Sequence, residues 1–261
     1  MHLVFDIGNS NVVIALHKDN AWAHLFRYET KDDQPALYYQ NGLSNLLFEW
    51  GVHSGDIQQV TISSVVPHLN DKITSAIIHA IGIVPILLGP AYLKKLSFPI
   101  PHVNEIGTDL VANAYGATIK WGQPCIVVDF GTALTFTIAH PKQGIQGVTI
   151  APGIKTAFSS LSAQTAQLPN VALHLPPSAI GKSTPHAIQA GVLIGYEGLV
   201  LHLLGKIKAE LPETYLTVAT GGISEAITFI TNHFDHVYKN LTIDGILKMG
   251  VELAKSANND I

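Results

Sequence analysis

The sequence predicts an α/β fold of two lobes related by duplication, and three observations carry that reading. Two short stretches echo each other: Asp6-Ile7-Gly8-Asn9-Ser10-Asn11 near the start and Asp129-Phe130-Gly131-Thr132-Ala133-Leu134 near the middle of the 261-residue chain. An apolar run (3–5 and 125–128) delivers each Asp, a Gly follows two residues later, and a second β-like run comes next. Around both stretches the order of strand-like and helical runs recurs. A composition of 47% hydrophobic and 13% charged residues describes a globular chain with room for two modest lobes or one large one.

The elements follow in order. Strands are predicted over 2–6, 11–17 and 22–28. A helix over about 35–50 rests on Leu37, Leu43, Leu46, Leu47 and Trp50, apolar at mostly helical spacing. A strand over 59–63, a helix over 67–81 and a short strand over 83–88 complete the first half. Pro67 suits a first helical turn, where its missing N–H is harmless. Three strands followed by helix, strand, helix and strand outline a ribonuclease-H-like lobe. The second half repeats the order with a helix over 108–120, strands over 124–129, 133–139 and 147–151, and helices over 153–163 and 184–211. A strand over 215–219 and helices over 224–233 and 243–255 end it. The Pro- and Gly-rich stretch 169–183 reads as an exposed loop or lid. The predicted division is an N-terminal lobe over 1–117 and a C-terminal lobe over 118–261, with the active site expected in the inter-lobe cleft.

Charge and cysteine content narrow the function classes. A net charge of −4 and a pI near 6.3 supply no basic stripe, so nucleic acid is not an expected partner. Arg27 is the single arginine beside fourteen lysines, so metal and backbone must do the phosphate binding that Arg forks often do. Cys125 alone allows no internal disulfide, fits a reducing compartment and, lying in an apolar run, reads as a buried structural thiol. The longest apolar stretches, near 81–88 and 190–204, are interrupted by Pro, Gly, Glu or His, so no membrane span is expected and a cytoplasmic location is.

The motifs carry the chemistry. In each acidic turn the Gly lets backbone N–H groups approach a bulky anion, and the flanking hydroxyl or amide groups can donate to it. The Asp repels phosphate and so implies a cation held between them. Two such loops would cradle a Mg-nucleotide. Gly107-Thr108-Asp109-Leu110 opens a helix, where Thr and Asp satisfy free N–H groups. In this company Asp109 reads as a general base, kept ionised by the positive helix end, that orients an attacking hydroxyl. Thr220-Gly221-Gly222 lies between strand and helix and would admit a flat ring or simply cap the helix. The 147–153 stretch, Gly147 to Gly153, turns the chain and could touch substrate. Thirteen scattered histidines complete no metal set, and no P-loop or dinucleotide-binding glycine pattern occurs.

Taken in order, Asp6-x-Gly-Asn-Ser, Gly107-Thr-Asp, Asp129-Phe-Gly-Thr-Ala, Gly147 to Gly153, Leu168-Pro169, Gly181-Lys-Ser-Thr184, Ala190-Gly191 and Gly221-Gly222 resemble the type III pantothenate kinases of the acetate and sugar kinase/Hsc70/actin superfamily, nearly end to end. The resemblance implies an actin-like ATPase fold and ATP-dependent phosphorylation of pantothenate, the first step of coenzyme A biosynthesis. It also implies a homodimer with the pantothenate pocket completed near the subunit interface, Mg²⁺, and a monovalent cation, K⁺ or NH₄⁺. Carried over, Asp6, Ile7, Gly8, Asn9, Ser10, Asn11, Val12 and Val13 would form the first phosphate loop, and Thr132 would meet phosphate from the second. Asp129 would hold the monovalent cation and Asp6 would orient Mg²⁺. Asp109 would be the base, Gly107, Thr108, Asp109 and Leu110 would border pantothenate, Thr184 would hydrogen-bond it, and Gly221 and Gly222 would line adenine. The chain departs from the family pattern at Leu110, where an Arg is usual, and at Ile100 and His102, where an aromatic residue is expected. A kinase with another hydroxylated acceptor and a catalytically silent nucleotide-binding regulator are the competing readings.

Overall fold

The computed structural model describes residues 1–164, 171–172, 174–222 and 227–259. The apolar N-terminal run becomes β1 (His2–Ile7), the central strand of a five-stranded sheet. Its partners are β2 (Asn11–Lys18), β3 (Ala21–Glu29), β4 (Gln59–Ser64) and β5 (Ile86–Leu87), in the order β3-β2-β1-β4-β5. β2 runs antiparallel to β1 and to β3, whereas β4 is parallel to β1 and β5. Both faces of β1 are covered, which explains its nearly unbroken apolar sequence.

On one face Leu3, Phe5 and Ile7 join Val12, Ile14, Val60 and Ile62 beneath α1 (Ala36–Glu49) and α2 (Pro67–Ile81). Pro67 stands in the first turn of α2, and Gly82 ends that helix in the left-handed region at φ 82°. The other face carries Asp6 and Ser63 and receives α4 (Thr108–Trp121) and α9 (Leu241–Asn259), which follow the short α3 (Pro90–Leu93) in the element order of this unit. Small residues set the α4–α9 approach. A Cβ added at Gly245 would lie 1.9 Å from the Ala112 carbonyl oxygen, and one at Gly116 would lie 3.1 Å from Gly245 Cα.

The second sheet has the same plan. β6 (Cys125–Phe130) is central, antiparallel to β7 (Ala133–His140) and parallel to β9 (Leu216–Thr220); with β8 (Gly144–Pro152) and β10 (His236–Val237) the order is β10-β9-β6-β7-β8. Ile126, Val128 and Phe130 face a core shared with Leu134, Phe136, Tyr196 and Val200. Its helices are α5 (Ile154–Gln164), α6 (Thr184–Gln189), α7 (Gly195–Glu210) and the short α8 (Thr228–Thr231). The two five-stranded α/β arrangements give the duplicated fold class the sequence predicts.

Several details differ from the sequence reading, which contains neither α3 nor β10. The chain divides into a unit of Met1–Gly122, His140–Gln146 and Asn240–Ile261 and a unit of Gln123–Ala139 and Gly147–Lys239. The last helix thus belongs with the first half, whereas a division at residue 117 assigns it to the second. The reason is the glycine-lined seam between α4 and α9. The helix over 184–211 contains a π-turn at Ala190–Ile194 between α6 and α7. The element Thr184–Glu210 is continuous and apolar, so by length and composition alone it could cross a membrane. Leu168, Pro169 and the expected helix start at Ser224 lie outside the described residues.

The α4–α9 seam is testable. Gly245→Ala forces a methyl group against backbone and is expected to destabilise by about 1–3 kcal/mol. Urea unfolding reads this, and an unchanged midpoint would contradict the close approach.

Candidate active site

In the first unit the chain turns immediately after the carboxylate-bearing end of β1. Asp6 is paired with Val13 on β2 and with Ser63 on β4, so both neighbouring strands fix its backbone. Gly8 N–H donates to the Asn11 carbonyl at 2.9 Å, closing the turn. Thr30 clamps it from outside, its hydroxyl donating to the Gly8 carbonyl at 2.6 Å and its N–H to the Ser10 carbonyl at 3.1 Å. Asn9 and Ser10 are exposed, whereas Ile7, Val12 and Val13 are buried and can offer a ligand only backbone groups.

The Gly107-Thr108-Asp109 turn is fastened to the same end of the sheet. Ser63, fully buried on β4 in register with Asp6, shares a 2.8 Å hydrogen bond with Thr108 Oγ1. The Ser64 N–H also donates to Thr108 Oγ1, at 3.2 Å. One hydroxyl therefore pins the first turn of α4 to the C-terminal end of β4, beside the Asp6 strand end. Leu110 N–H donates to Asp109 Oδ1 at 2.9 Å. A Cβ on Gly107 would stand 2.4 Å from that same oxygen, so glycine is what admits the carboxylate in this orientation. Burial pushes the Asp109 carboxyl above the ordinary carboxylate range, and the Leu110 N–H only partly opposes this. The helix end, which the sequence reading has holding this base ionised, is opposed here by a loss of hydration that outweighs the N–H donors. The Leu110 side chain is buried.

The approach to this turn is also tied down. Glu252 on α9 accepts a hydrogen bond from the Tyr115 hydroxyl and another, at 2.6 Å, from Ser97 N–H. His102, between Ser97 and the motif, sits at φ 51°.

The second unit builds its own site around β6. Asp129 is in register with Thr135 on β7 and Thr220 on β9, which places the three side chains on one sheet face. Thr135 Oγ1 and Thr220 Oγ1 are buried and lack a hydrogen-bond partner among the described residues. Gly131 N–H donates to the Ala133 carbonyl at 3.1 Å, closing the turn, and Thr132 is exposed. The Thr132 carbonyl accepts from Gly153 N–H at 3.1 Å and from the Thr156 hydroxyl at 2.8 Å. The 147–153 stretch thereby braces the loop. Gly221, at φ 96°, has room for no side chain: a Cβ there would be 2.4 Å from Asp129 Oδ1. Gly222 follows, exposed.

Asp6 to Val13 and Gly107 to Leu110 thus come together in one unit, and Asp129, Thr132 and Gly221 in the other. Thr184 lies apart from the latter group in the chain, exposed at the first position of α6 after its Ser183 cap. The sequence reading assigned no role to Ser63, Thr135 or Thr156, and took Thr220 only as part of the Thr220-Gly221-Gly222 turn. Within strands, Ser and Thr read only as tolerated β residues, and the one available hint is that Ser63 and Thr220 stand at or next to the end of a strand parallel to an Asp-bearing one.

Two sheets of this order, each ending its central strand on an acidic turn, define the actin-like ATPase and sugar-kinase fold. Among solved structures, the activator of 2-hydroxyisocaproyl-CoA dehydratase from Clostridium difficile, with bound ADPNP, aligns over 100% of this chain and 97% of its own at a TM-score of 0.59 and 10% identity. MreB 5 of Spiroplasma citri, bound to AMPPNP, aligns over 100% and 98% at a TM-score of 0.56 and 10% identity. These likenesses concern the fold. The family is given by sequence: the model for the type III pantothenate kinases matches residues 2–206. A type III pantothenate kinase of Treponema pallidum is 38% identical over 94% of this chain and 91% of its own, and one of Syntrophotalea carbinolica is 36% identical over 94% and 96%. The chain belongs to the type III pantothenate kinase family.

The buried carboxylate has a consequence for stability. A folded-state pKa above the unfolded one means that the native state binds the extra proton, so the penalty is absent at low pH and grows as pH rises through the raised value. Asp109→Asn is therefore expected to raise Tm at neutral pH and to lose that advantage in acid. A lower Tm for the variant at neutral pH would contradict the desolvated setting.

Proposed function

We propose that this chain transfers the γ-phosphoryl group of ATP to the terminal hydroxyl of pantothenate, giving 4'-phosphopantothenate, the first step of coenzyme A biosynthesis. The single observation that carries the residue assignment is the Ser63–Thr108 bond, which holds the Asp109 turn beside the Asp6 strand end.

Asp109 is the base. With Oδ1 engaged by the Leu110 N–H, its other oxygen accepts the hydroxyl proton as the alcohol oxygen attacks phosphorus in line. Its raised pKa makes it a better acceptor than an ordinary carboxylate, at the expense of activity in acid. Gly107, Thr108 and Leu110 border the acceptor, and Thr184 hydrogen-bonds it. The 6–13 turn and Thr132 each offer N–H and hydroxyl donors to nucleotide phosphate, and Gly221 and Gly222 border adenine. Leu110 stands where the family Arg would offer a charged fork, so Lys or backbone donors must meet the pantothenate carboxylate.

The oxygen-rich donor sets suit hard cations. Asp6 would orient Mg²⁺. Asp129, flanked by the buried hydroxyls of Thr135 and Thr220 that lack partners among the described residues, would hold K⁺ or NH₄⁺. When bound, these ions neutralise charge on the transferring phosphoryl group. With Arg27 the only arginine, the chain itself supplies little of that neutralisation.

The same reading makes the protein a cytoplasmic homodimer. The helical element Thr184–Glu210 is apolar and mostly unburied within the chain, which supports its being covered by a second copy. That arrangement puts Thr184 at the subunit boundary, where it would help complete the pantothenate pocket.

Two outcomes test the assignment. ADP release from ATP should require pantothenate, Mg²⁺ and K⁺ or NH₄⁺, and Asp109→Asn should abolish it while calorimetry still detects ATP; normal turnover in that variant removes Asp109 from the mechanism. Gly107→Ala displaces only a carboxylate tip, so kcat should fall by about tenfold to a hundredfold with Tm little changed. Undiminished kcat would show that the Asp109 orientation is unimportant.

A further inference from the structure

On the sheet face away from Asp6, α1 does not close against β3. The gap is a cavity of about 410 Å³, within the range of small-molecule sites. Its floor is the lobe core, where Phe5 and Ile14 are cross-strand partners. Its walls are aromatic. Phe26 and Tyr28 on β3 have ring centroids 5.8 Å apart, and Tyr38 and Tyr39 in the first turn of α1 meet edge to face at 5.4 Å.

Two features keep it open and give it a sign. Gly42 stands in the middle of α1, where glycine weakens a helix, and a Cβ added there would meet nothing within 4 Å. Glu49, at the end of α1, is the only charged residue of the lining, and the last turn of that helix has no basic side chain. The negative end of the helix dipole therefore adds to the Glu49 charge. Burial raises the Tyr28 phenol well above its ordinary value and also raises that of Tyr39, so both remain neutral. The ring faces present their own negative potential. An ammonium already uses it at the rim: Lys31 Nζ lies 5.9 Å from the centroid of Tyr38.

We propose that this cavity is a second ligand site that takes a small organic ammonium ion with a flat apolar body, the ring lodged against Phe26 over Gly42 and Leu46 and the cation directed to Glu49. Such a ligand matches the surface in each part: apolar floor, aromatic walls, one carboxylate and no competing cation in the lining. The site lies on the opposite sheet face from the proposed phosphate-binding turn and stands independently of the kinase assignment.

The probe is tryptamine, compared with indole-3-propionate, which has the same ring and the opposite charge. Each is titrated into the full chain by calorimetry without nucleotide. Tryptamine is expected to bind at one site per chain at least about tenfold more tightly than the anion. Gly42→Leu should fill the cavity and abolish binding without lowering Tm, since leucine favours the helix. Glu49→Gln, a surface change, should remove the preference for the cation. Equal binding of both probes, binding that survives Gly42→Leu, or no saturable binding of tryptamine at millimolar concentration would overturn the proposal.

Discussion

The structure depends on one backbone constraint used twice: a carboxylate at the end of a central strand, between a parallel neighbour and an antiparallel one, with a tight glycine turn next to it. Asp6 and Asp129 each occupy that place. An antiparallel neighbour can be reached by a tight turn, whereas the parallel one must return through a helix. The carboxylate therefore lies at an edge where a short turn and the end of a parallel strand meet. Backbone donors, hydroxyl groups and a negative charge are brought to that edge without a long loop. On the proposed function, this is how a chain with one arginine would meet phosphate.

The second theme is close approach. Gly107 and Gly221 each leave room for a carboxylate, of Asp109 and Asp129 respectively, and Gly153 lets its stretch brace the Thr132 loop, where a Cβ would come 2.3 Å from the Gly131 carbonyl oxygen. Asp109 also carries a desolvation penalty that the fold tolerates because the Ser63–Thr108 hydroxyl pair and the α4–α9 seam hold its helix in place. Stability and proposed function pull in opposite directions at this residue. A carboxylate that hydration would stabilise is kept partly dry, which suits a proton acceptor.

Much of the architecture was legible in the residues. Periodicity and the Asp-x-Gly echo marked every strand of both sheets except the two-residue β10, and the α2 limits followed from Pro67 and the end of the apolar pattern near Ile81. What could not be read depends on pairing between distant segments. Gly116 and Gly245 acquire meaning only against one another, so the return of α9 to the first unit was invisible. A π-turn needs only a shift of hydrogen-bond partner, which Ala190 to Ile194 do not advertise. The acidic turns and the Asp109 turn were legible because they bunch unusual residues at strand and helix ends. Ser63, Thr135 and Thr220 were not, since a hydroxyl inside a strand looks the same whether it faces solvent, core or a bound ion. The rise in the Asp109 pKa was equally hidden, being a property of burial rather than of its neighbours in sequence.

The central claim is that the Ser63–Thr108 hydroxyl pair holds Asp109, the proposed base, beside the Asp6 strand end. A double-mutant cycle on kcat for ADP release, measured for Ser63→Ala, Thr108→Val and the double variant, tests it most directly. The account predicts that each change lowers kcat and that the losses do not add, with a coupling of about 0.5–3 kcal/mol, as for groups that share a partner. Strictly additive losses, or a variant that turns over as the parent does, would contradict it.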